Sequence, residues 1–224
     1  MNITYYGHSC FAAEIGGKTL LFDPFITPNP LAKSIKLDQI KADHILITHG
    51  HSDHIADAVA LSRQTGAPLI AGFEVATWLG KQGVKSEPLN HGGGPDLGFC
   101  RVKYVNAIHS SSLPDGSYGG NPGGFVITSA EGNFYYSGDT ALTRDMELIA
   151  STRLAFAVLC VGGHFTMDVE DAIQAARMIG CDNIMGAHYD TFPPIKIDHD
   201  QAIEKFRAAG KRLHLLKIGA SHKF

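Results

Sequence analysis

The chain has 224 residues, of which 44% are hydrophobic and 18% charged, and its formal net charge at pH 7 is −3. This composition is typical of a soluble globular protein, and no run of lysine or arginine indicates a dedicated nucleic-acid or membrane-surface binder. The N-terminal residues include neither a basic segment nor a long apolar stretch. The sequence therefore predicts a cytoplasmic protein without a signal peptide or a transmembrane helix.

Apolar runs and turn residues predict alternating strands and helices along the whole chain. The strands cover 2–6, 10–15, 18–22, 44–48, 68–71, 84–89, 99–108, 125–129, 133–137, 154–161, 183–187 and 213–218. The helices cover 54–65, 74–79, 144–150, 169–179 and 199–209. Asp168 and Asp198 are the predicted N-caps of the last two helices, and Gly180 and Gly210 stand where these helices should stop.

Strands predominate early in each half of the chain, and helices follow later. This order favours an α/β protein with two mixed sheets and helices outside them, a four-layer αβ/βα sandwich. No linker or repeat divides the chain, so we expect a single domain over residues 1–224. The loop at 113–123 is long and rich in glycine, as functional loops often are.

Four cysteines, Cys10, Cys100, Cys160 and Cys181, are widely spaced. None of them forms a C-x-x-C pair, so neither a zinc ribbon nor a thioredoxin-type site is indicated. We expect four buried thiols that pack as small apolar side chains in a reducing compartment.

Metal-ligand side chains are concentrated in the segment Thr48-His49-Gly50-His51-Ser52-Asp53-His54, directly after a predicted strand. Further candidates also follow apolar runs that are typical of strands. The candidate ligands are His49, His51, Asp53, His54, His109, Asp139 and His188. In an α/β protein such positions gather at one end of the sheets. The alternative, a solvated loop with isolated polar groups elsewhere, does not explain why the same placement recurs.

Seven ligands are too many for one tetrahedral zinc ion, but they fit two cations that share one carboxylate. His49 and His51 can face one cation, while Asp53 and His54 open the next helix and can face a second. Imidazole with some carboxylate suits zinc best, with manganese, iron and nickel as alternatives.

The segment 48–54 resembles the H-x-H-x-D-H signature of the metallo-β-lactamase superfamily, and Gly138-Asp139-Thr140 resembles its bridging-aspartate motif. Several further motifs resemble a family of bacterial and archaeal metal-dependent hydrolases related to ascorbate-6-phosphate lactonase. These motifs are Tyr6-Gly7-His8-Ser9-Cys10-Phe11, Asp23-Pro24-Phe25, residues 107–112, residues 119–125, Gly162-Gly163-His164-Phe165-Thr166-Met167 and His188-Tyr189-Asp190-Thr191-Phe192-Pro193. The resemblance runs nearly from end to end.

The resemblance implies how the ligands divide between the metals. His49, His51 and His109 would hold the first cation; Asp53, His54 and His188 would hold the second; and Asp139 would bridge them. His164 is a candidate for contacting the substrate or donating a proton. His8 is a further candidate catalytic residue, expected behind the metal-bound side chains; the alternative is a buried, hydrogen-bonded strand histidine. Asp23 is a candidate for fixing the tautomer of a metal-bound imidazole.

The predicted reaction is hydrolysis by a hydroxide that bridges two divalent metal ions, with Asp53 orienting it or accepting its proton. No G-x-S-x-G elbow surrounds the serines at 110–112, so a serine nucleophile is not indicated. The lactonase relationship favours a small ester or lactone, with or without a phosphate group, and a phosphoester remains open.

Three alternatives remain. A phosphodiesterase or nuclease could use the same site, although the lack of a basic patch counts against nucleic acid as a partner. Di-iron redox proteins of this fold resemble H-x-E-x-D at the first motif, and His51 disfavours that reading. A binding module without turnover is disfavoured because all seven ligands are present. We expect a small-molecule substrate and no membrane partner; relatives suggest a homo-oligomer, but no pattern in this sequence requires one.

Overall fold

The computed structural model describes all 224 residues and contains two mixed β-sheets. The strands of the first sheet are β1 (Asn2–Gly7), β2 (Cys10–Ile15), β3 (Lys18–Phe22), β4 (His44–Ile47), β5 (Leu69–Gly72), β6 (Ser86–Leu89) and β13 (Ser221–Lys223). Those of the second are β7 (Arg101–Asn106), β8 (Gly123–Ser129), β9 (Gly132–Tyr136), β10 (Phe156–Cys160), β11 (Asn183–Ala187) and β12 (Arg212–His214). The strand orders are β13-β1-β2-β3-β4-β5-β6 and β12-β11-β10-β9-β8-β7.

Helices cover the outer face of each sheet. The α-helices are α1 (Ser52–Ile55), α2 (Ala58–Thr65), α3 (Phe73–Gly80), α4 (Val169–Met178) and α5 (His199–Ala208), and 3-10 helices cover Leu37–Gln39, Arg144–Thr152 and Pro193–Ile195. The predicted caps of the last two α-helices are present, because the side chains of Asp168 and Asp198 accept hydrogen bonds from the first turns. Gly180 and Gly210 follow these helices with positive φ. No helix combines the length and the apolar character that crossing a membrane requires.

Aromatic side chains fill the space between the two sheets. Phe22 of the first sheet stacks on Phe11 with ring centroids 4.5 Å apart and meets Phe134 and Phe125 of the second sheet at 5.8 and 6.1 Å. A second hydrophobic cluster lies between the first sheet and helices α1 to α3. All four cysteines are buried free thiols, as predicted. The four-layer sandwich predicted from the sequence is confirmed.

The predicted helix over 54–65 is wrong in one respect, because the structure divides it into α1 and α2. The break lies at Asp57, whose backbone N–H donates to the carbonyl of Pro24 at 3.0 Å instead of continuing the helix. The Asp57 carboxylate also accepts from the backbone N–H groups of Ile26 and Thr27, at 2.6 and 2.8 Å. This aspartate therefore anchors the chain after β3 to the start of α2.

The predicted last strand over 213–218 is present but shorter, because β12 ends at His214. The chain leaves the second sheet after His214 and crosses to the edge of the first sheet, where β13 pairs antiparallel with β1. Gly219, at φ +85°, makes the turn between them, and its N–H donates to the carbonyl of Tyr5 at 2.7 Å. The last segment therefore ties the two sheets together. The predicted helix over 144–150 is a 3-10 helix.

Candidate metal centre

The predicted ligands follow the ends of strands from both sheets. His49 to His54 come directly after β4, His109 follows β7, Asp139 follows β9 and His188 follows β11. Their side chains converge into overlapping groups in which all candidate ligand atoms lie within 4.8 Å of one another. The groups are His49, His51 and His109; His49, His54 and Asp139; and His8, Asp53, His54 and His188.

The first group is an all-imidazole cluster. Nε2 of His49 lies 2.9 Å from Nδ1 of His51, and the ring of His109 lies 5.2 Å from the ring of His49 and 5.1 Å from that of His51. Ser110 Oγ lies 3.2 Å from Nε2 of His51, on the other side of that ring. These three imidazoles are the same three that the resemblance implies for the first cation.

The carboxylate of Asp139 lies between the two predicted groups. Its Oδ2 is 2.8 Å from Nε2 of His188, 3.3 Å from Nε2 of His54 and 3.7 Å from Nε2 of His109. His109 belongs to the first predicted set and the other two to the second. Asp139 Oδ2 therefore lies within 3.7 Å of imidazoles from both predicted sets.

Asp23 is fully buried beneath the cluster and accepts four hydrogen bonds. Its Oδ1 accepts from the backbone N–H of Thr48 at 2.8 Å, and its Oδ2 accepts from Thr48 Oγ1 at 2.7 Å, His54 Nδ1 at 2.8 Å and Tyr136 Oη at 2.6 Å. Because a carboxylate can only accept, Nδ1 of His54 carries a proton and Nε2 faces Asp139. The contact predicted for Asp23 is present.

Thr48 extends the influence of Asp23 to a second imidazole. The hydroxyl proton of Thr48 is committed to Asp23, so its oxygen accepts from Nδ1 of His49, 3.0 Å away. Nε2 of His49 then has a lone pair that faces His51. One buried carboxylate thus sets the tautomer of an imidazole in each of the two predicted ligand sets.

Two buried polar atoms indicate that the cluster fits a cation. His54 Nε2 and Asp139 Oδ1 are buried and have no hydrogen-bond partner in the protein. Buried polar atoms are almost always paired, and an unpaired one costs about 1–3 kcal/mol. Because these atoms belong to groups of imidazole and carboxylate ligands, the residues fit a divalent cation of the zinc type.

The pKa values of the buried groups follow from their neighbours. Burial disfavours the charged form of His188, but the Asp139 carboxylate outweighs it and raises its pKa to about 9. The pKa of His54 is raised in the same way: burial lowers it, and Asp139, Asp23 and Asp53 outweigh that effect. Burial, reinforced by His54, holds the pKa of His49 well below its ordinary value. Metal binding would therefore release protons from some of these imidazoles and not from others.

His8 lies in the third group, with Asp53, His54 and His188, and its place among these ligand atoms was not predicted from spacing. Its Nε2 is 3.0 Å from Asp53 Oδ2, and its Nδ1 is 3.0 Å from Thr191 Oγ1. Burial lowers the pKa of His8 to about 4, so the ring is neutral near pH 7. Its backbone φ is +56°, and its carbonyl accepts from the N–H of His188, which has the same φ. Both residues hold left-handed conformations that cost about 1–3 kcal/mol each, as residues at functional sites often do.

His164 does not join the cluster. Its side chain is exposed, its ring packs edge-on against Phe165 at 4.5 Å, and it is not among the residues that line the cavity over the predicted ligands. A catalytic role for His164 therefore stays a prediction without a supporting contact. Sequence reasoning assigned no role to Tyr136, Thr191, Phe165 or Phe192. Phe165, Thr191 and Phe192 lie within the motifs at 162–167 and 188–193 that carry the resemblance, which was the available signal, whereas Tyr136 has the context of an ordinary core strand.

Comparisons with known proteins show the family to which the chain belongs. A family model described as a β-lactamase superfamily domain matches residues 2–188. A protein named UPF0173 metal-dependent hydrolase from Flavobacterium johnsoniae is 53% identical over 222 residues, with 99% of each chain covered. One of the same description from Thermus thermophilus is 42% identical over 219 residues, which cover 98% of this chain and 97% of the relative. Among solved structures, Igni18, a metallo hydrolase from Ignicoccus hospitalis, is 34% identical with a TM-score of 0.89, covering 100% of this chain and 98% of that one.

Proposed function

The chain belongs to the UPF0173 metal-dependent hydrolases of the β-lactamase superfamily, and from this premise we propose that it hydrolyses a small ester or lactone at a centre of two divalent cations. The observation that carries this proposal is the position of Asp139 Oδ2, within 3.7 Å of imidazoles from both predicted ligand sets. Zinc suits these ligands best, with manganese, iron and nickel as alternatives.

His49, His51 and His109 would hold one cation, Asp53, His54 and His188 the other, and Asp139 both. Bound there, the cations would supply Lewis acidity, which makes a bound water acidic near neutral pH and stabilises negative charge on the substrate oxygen. The chain's own contribution is orientation. The neutral imidazole of His8 carries its proton at Nε2 and donates it in a hydrogen bond to Asp53, so His8 orients that carboxylate next to the cavity.

The cavity over the cluster has a volume of about 270 Å³, which suits a small molecule. Five of the predicted ligands line it, together with Ser110, Phe165 and Phe192. The hydroxyl of Ser110 is therefore available to a substrate as well as to His51. This size supports a small ester or lactone over a polymeric substrate.

Metal analysis combined with a substrate panel tests the proposal. We expect the purified protein to bind two equivalents of metal and to hydrolyse at least one aryl ester or lactone from a panel that also contains bis-p-nitrophenyl phosphate. Asp139→Ala should lower kcat/KM by at least about 100-fold and reduce the bound metal, because it removes the shared carboxylate. Asp200→Ala, an exposed aspartate on α5, is the matched control and should change neither.

A fully metallated protein that hydrolyses no ester or lactone would overturn the substrate proposal. Turnover of bis-p-nitrophenyl phosphate alone would replace it with the phosphodiesterase alternative. A single tightly bound metal, unaffected by Asp139→Ala, would overturn the two-cation centre.

A further inference from the structure

Two phenylalanines, Phe165 and Phe192, supply the apolar wall of the cavity over the predicted metal ligands. The residues lining this cavity are His51, Asp53, His109, Ser110, Asp139, Phe165, His188 and Phe192. All of them except Ser110 and the two phenylalanines are predicted ligands. Phe165 and Phe192 must therefore supply most of the contacts with the part of the substrate that lies away from the reacting bond.

Phe165 is exposed in spite of a backbone that is held tightly in place. Its side chain is 54% exposed and lines the cavity, so much of the ring is available to a ligand there. It follows two residues with positive φ, Gly163 at +66° and His164 at +57°. The N–H of Gly163 donates to the carbonyl of Met167 at 3.0 Å, and the N–H of Met167 donates to the carbonyl of Thr140 at 2.9 Å. The strained turn is thus fixed next to Asp139 and presents the ring at the cavity.

Phe192 is held from behind by the same network that holds the cluster. Its ring packs edge-on against His8 at 5.5 Å and lies 6.2 Å from Phe25. It directly follows Thr191, which contacts Nδ1 of His8. The ring is half-buried, so one part of it supports His8 while another part remains open to the cavity.

Apart from the predicted metal ligands, the cavity wall has no positively charged side chain that could hold an anionic group of the substrate. No lysine or arginine lines it, and its two carboxylates, Asp53 and Asp139, are predicted to bind metal. Recognition of a phosphate or carboxylate away from the reacting bond normally needs such a cation. The wall offers only phenyl rings and one hydroxyl for that purpose.

We propose that the group which the substrate places against Phe165 and Phe192 is flat, apolar and uncharged, such as an aryl ring, and that it carries no phosphate remote from the bond that is hydrolysed. This inference rests on the proposed function, since it places the reacting bond at the ligand cluster. The substrate would then be a small ester or lactone that has no anionic group away from the reacting bond.

Binding of hydroxamates to the metal-loaded protein tests this independently of turnover. Acetohydroxamate, benzohydroxamate and phosphonoacetohydroxamate share one metal-binding head group and differ in the attached methyl, phenyl or anionic group. By isothermal titration calorimetry we expect benzohydroxamate to bind about tenfold more tightly than acetohydroxamate, through ring contacts. We expect phosphonoacetohydroxamate to gain nothing over acetohydroxamate.

Two substitutions test whether the rings of Phe165 and Phe192 cause the preference for benzohydroxamate over acetohydroxamate. Phe165→Ala and Phe192→Leu should each reduce the preference for benzohydroxamate to about threefold or less while leaving acetohydroxamate binding within about twofold. Phe73→Ala is the matched control, because Phe73 is 53% exposed but does not line the cavity. Circular dichroism and metal content confirm that each variant is folded and loaded.

Three results would overturn the inference. They are tightest binding of phosphonoacetohydroxamate, a benzohydroxamate preference that survives both substitutions, and no binding of any hydroxamate to the loaded protein. If the ring-dependent preference is found but no ester or lactone is hydrolysed, the proposed function fails and the inference about the apolar wall stands.

Discussion

Replacing Asp23 with asparagine should separate the folding role of this residue from its role in orienting ligands. The substitution keeps the shape of the side chain but exchanges one acceptor oxygen for an NH₂ group. Oδ2 accepts three hydrogen bonds and Oδ1 accepts one, from the backbone N–H of Thr48. The least costly orientation therefore places the NH₂ group against the N–H of Thr48.

The energetic cost follows from the bonds that change. The hydrogen bond from the buried N–H of Thr48 to the charged carboxylate is lost, which costs about 1.5–3 kcal/mol and leaves that N–H without a partner. The remaining bonds weaken because their acceptor becomes neutral. We expect Asp23→Asn to reduce the free energy of unfolding of the metal-free protein by about 4 kcal/mol. The amide oxygen still accepts from His54 Nδ1 and Thr48 Oγ1, but as a neutral acceptor it holds these groups less strongly, so metal affinity should fall about 10- to 100-fold.

Tyr136→Phe is the comparison that isolates orientation from stability. It removes one hydrogen bond to the same carboxylate, worth about 1.5–3 kcal/mol, but leaves the contacts of His54 and Thr48 with Asp23 in place. Urea unfolding of both metal-free variants and competition with a chelating dye measure the two effects. Wild-type metal affinity in Asp23→Asn would refute the reasoning. An equal loss of affinity in Tyr136→Phe would show that metal binding follows stability and not ligand orientation.

Two further predictions concern packing and pH. A Cβ atom at Gly162 would lie 2.1 Å from the carbonyl oxygen of His188, so Gly162→Ala should cost about 3 kcal/mol and lower Tm by roughly 6–12 °C; an unchanged Tm in differential scanning calorimetry would contradict this. Burial, reinforced by His222, lowers the pKa of His214. As the pH falls below about 6.5, His214 is therefore protonated in the unfolded chain before it is protonated in the folded protein, and the free energy of unfolding decreases. His214→Gln should therefore lose less Tm than the wild type between pH 7.5 and 5.5, and parallel losses would count against that assignment.

Positions at strand ends were predictable because the signal is local. Apolar runs located the strands, and the ligands at 49–54, 109, 139 and 188 follow them directly. Since strand ends meet at one edge of an α/β sandwich, the sequence was enough to predict that these side chains converge. The role of Asp23 beside an imidazole was expected instead from the resemblance, which includes the motif Asp23-Pro24-Phe25.

Features that depend on pairs of distant segments were not predictable in this way. The helix breaks at Asp57 because its N–H bonds to Pro24, and nothing in the local pattern reveals that competition. The last strand pairs with the first one, which is the most distant segment of the chain. Likewise, the phenol of Tyr136 reaches Asp23 from the opposite sheet, and its sequence context is that of an ordinary core strand.

The left-handed backbone around the site has a consequence for mutational libraries. His8, Asp23, His164 and His188 all have φ between +40° and +57°, a conformation that β-branched residues hardly tolerate and that asparagine and glycine accept. A valine or threonine variant at these positions would lose activity because the backbone is strained, so its inactivity would not show that the imidazole or carboxylate is needed. Asparagine at position 8 or 164 removes the imidazole and keeps the left-handed backbone. In a saturation scan, the asparagine variant therefore tests the chemical role of the side chain at these positions.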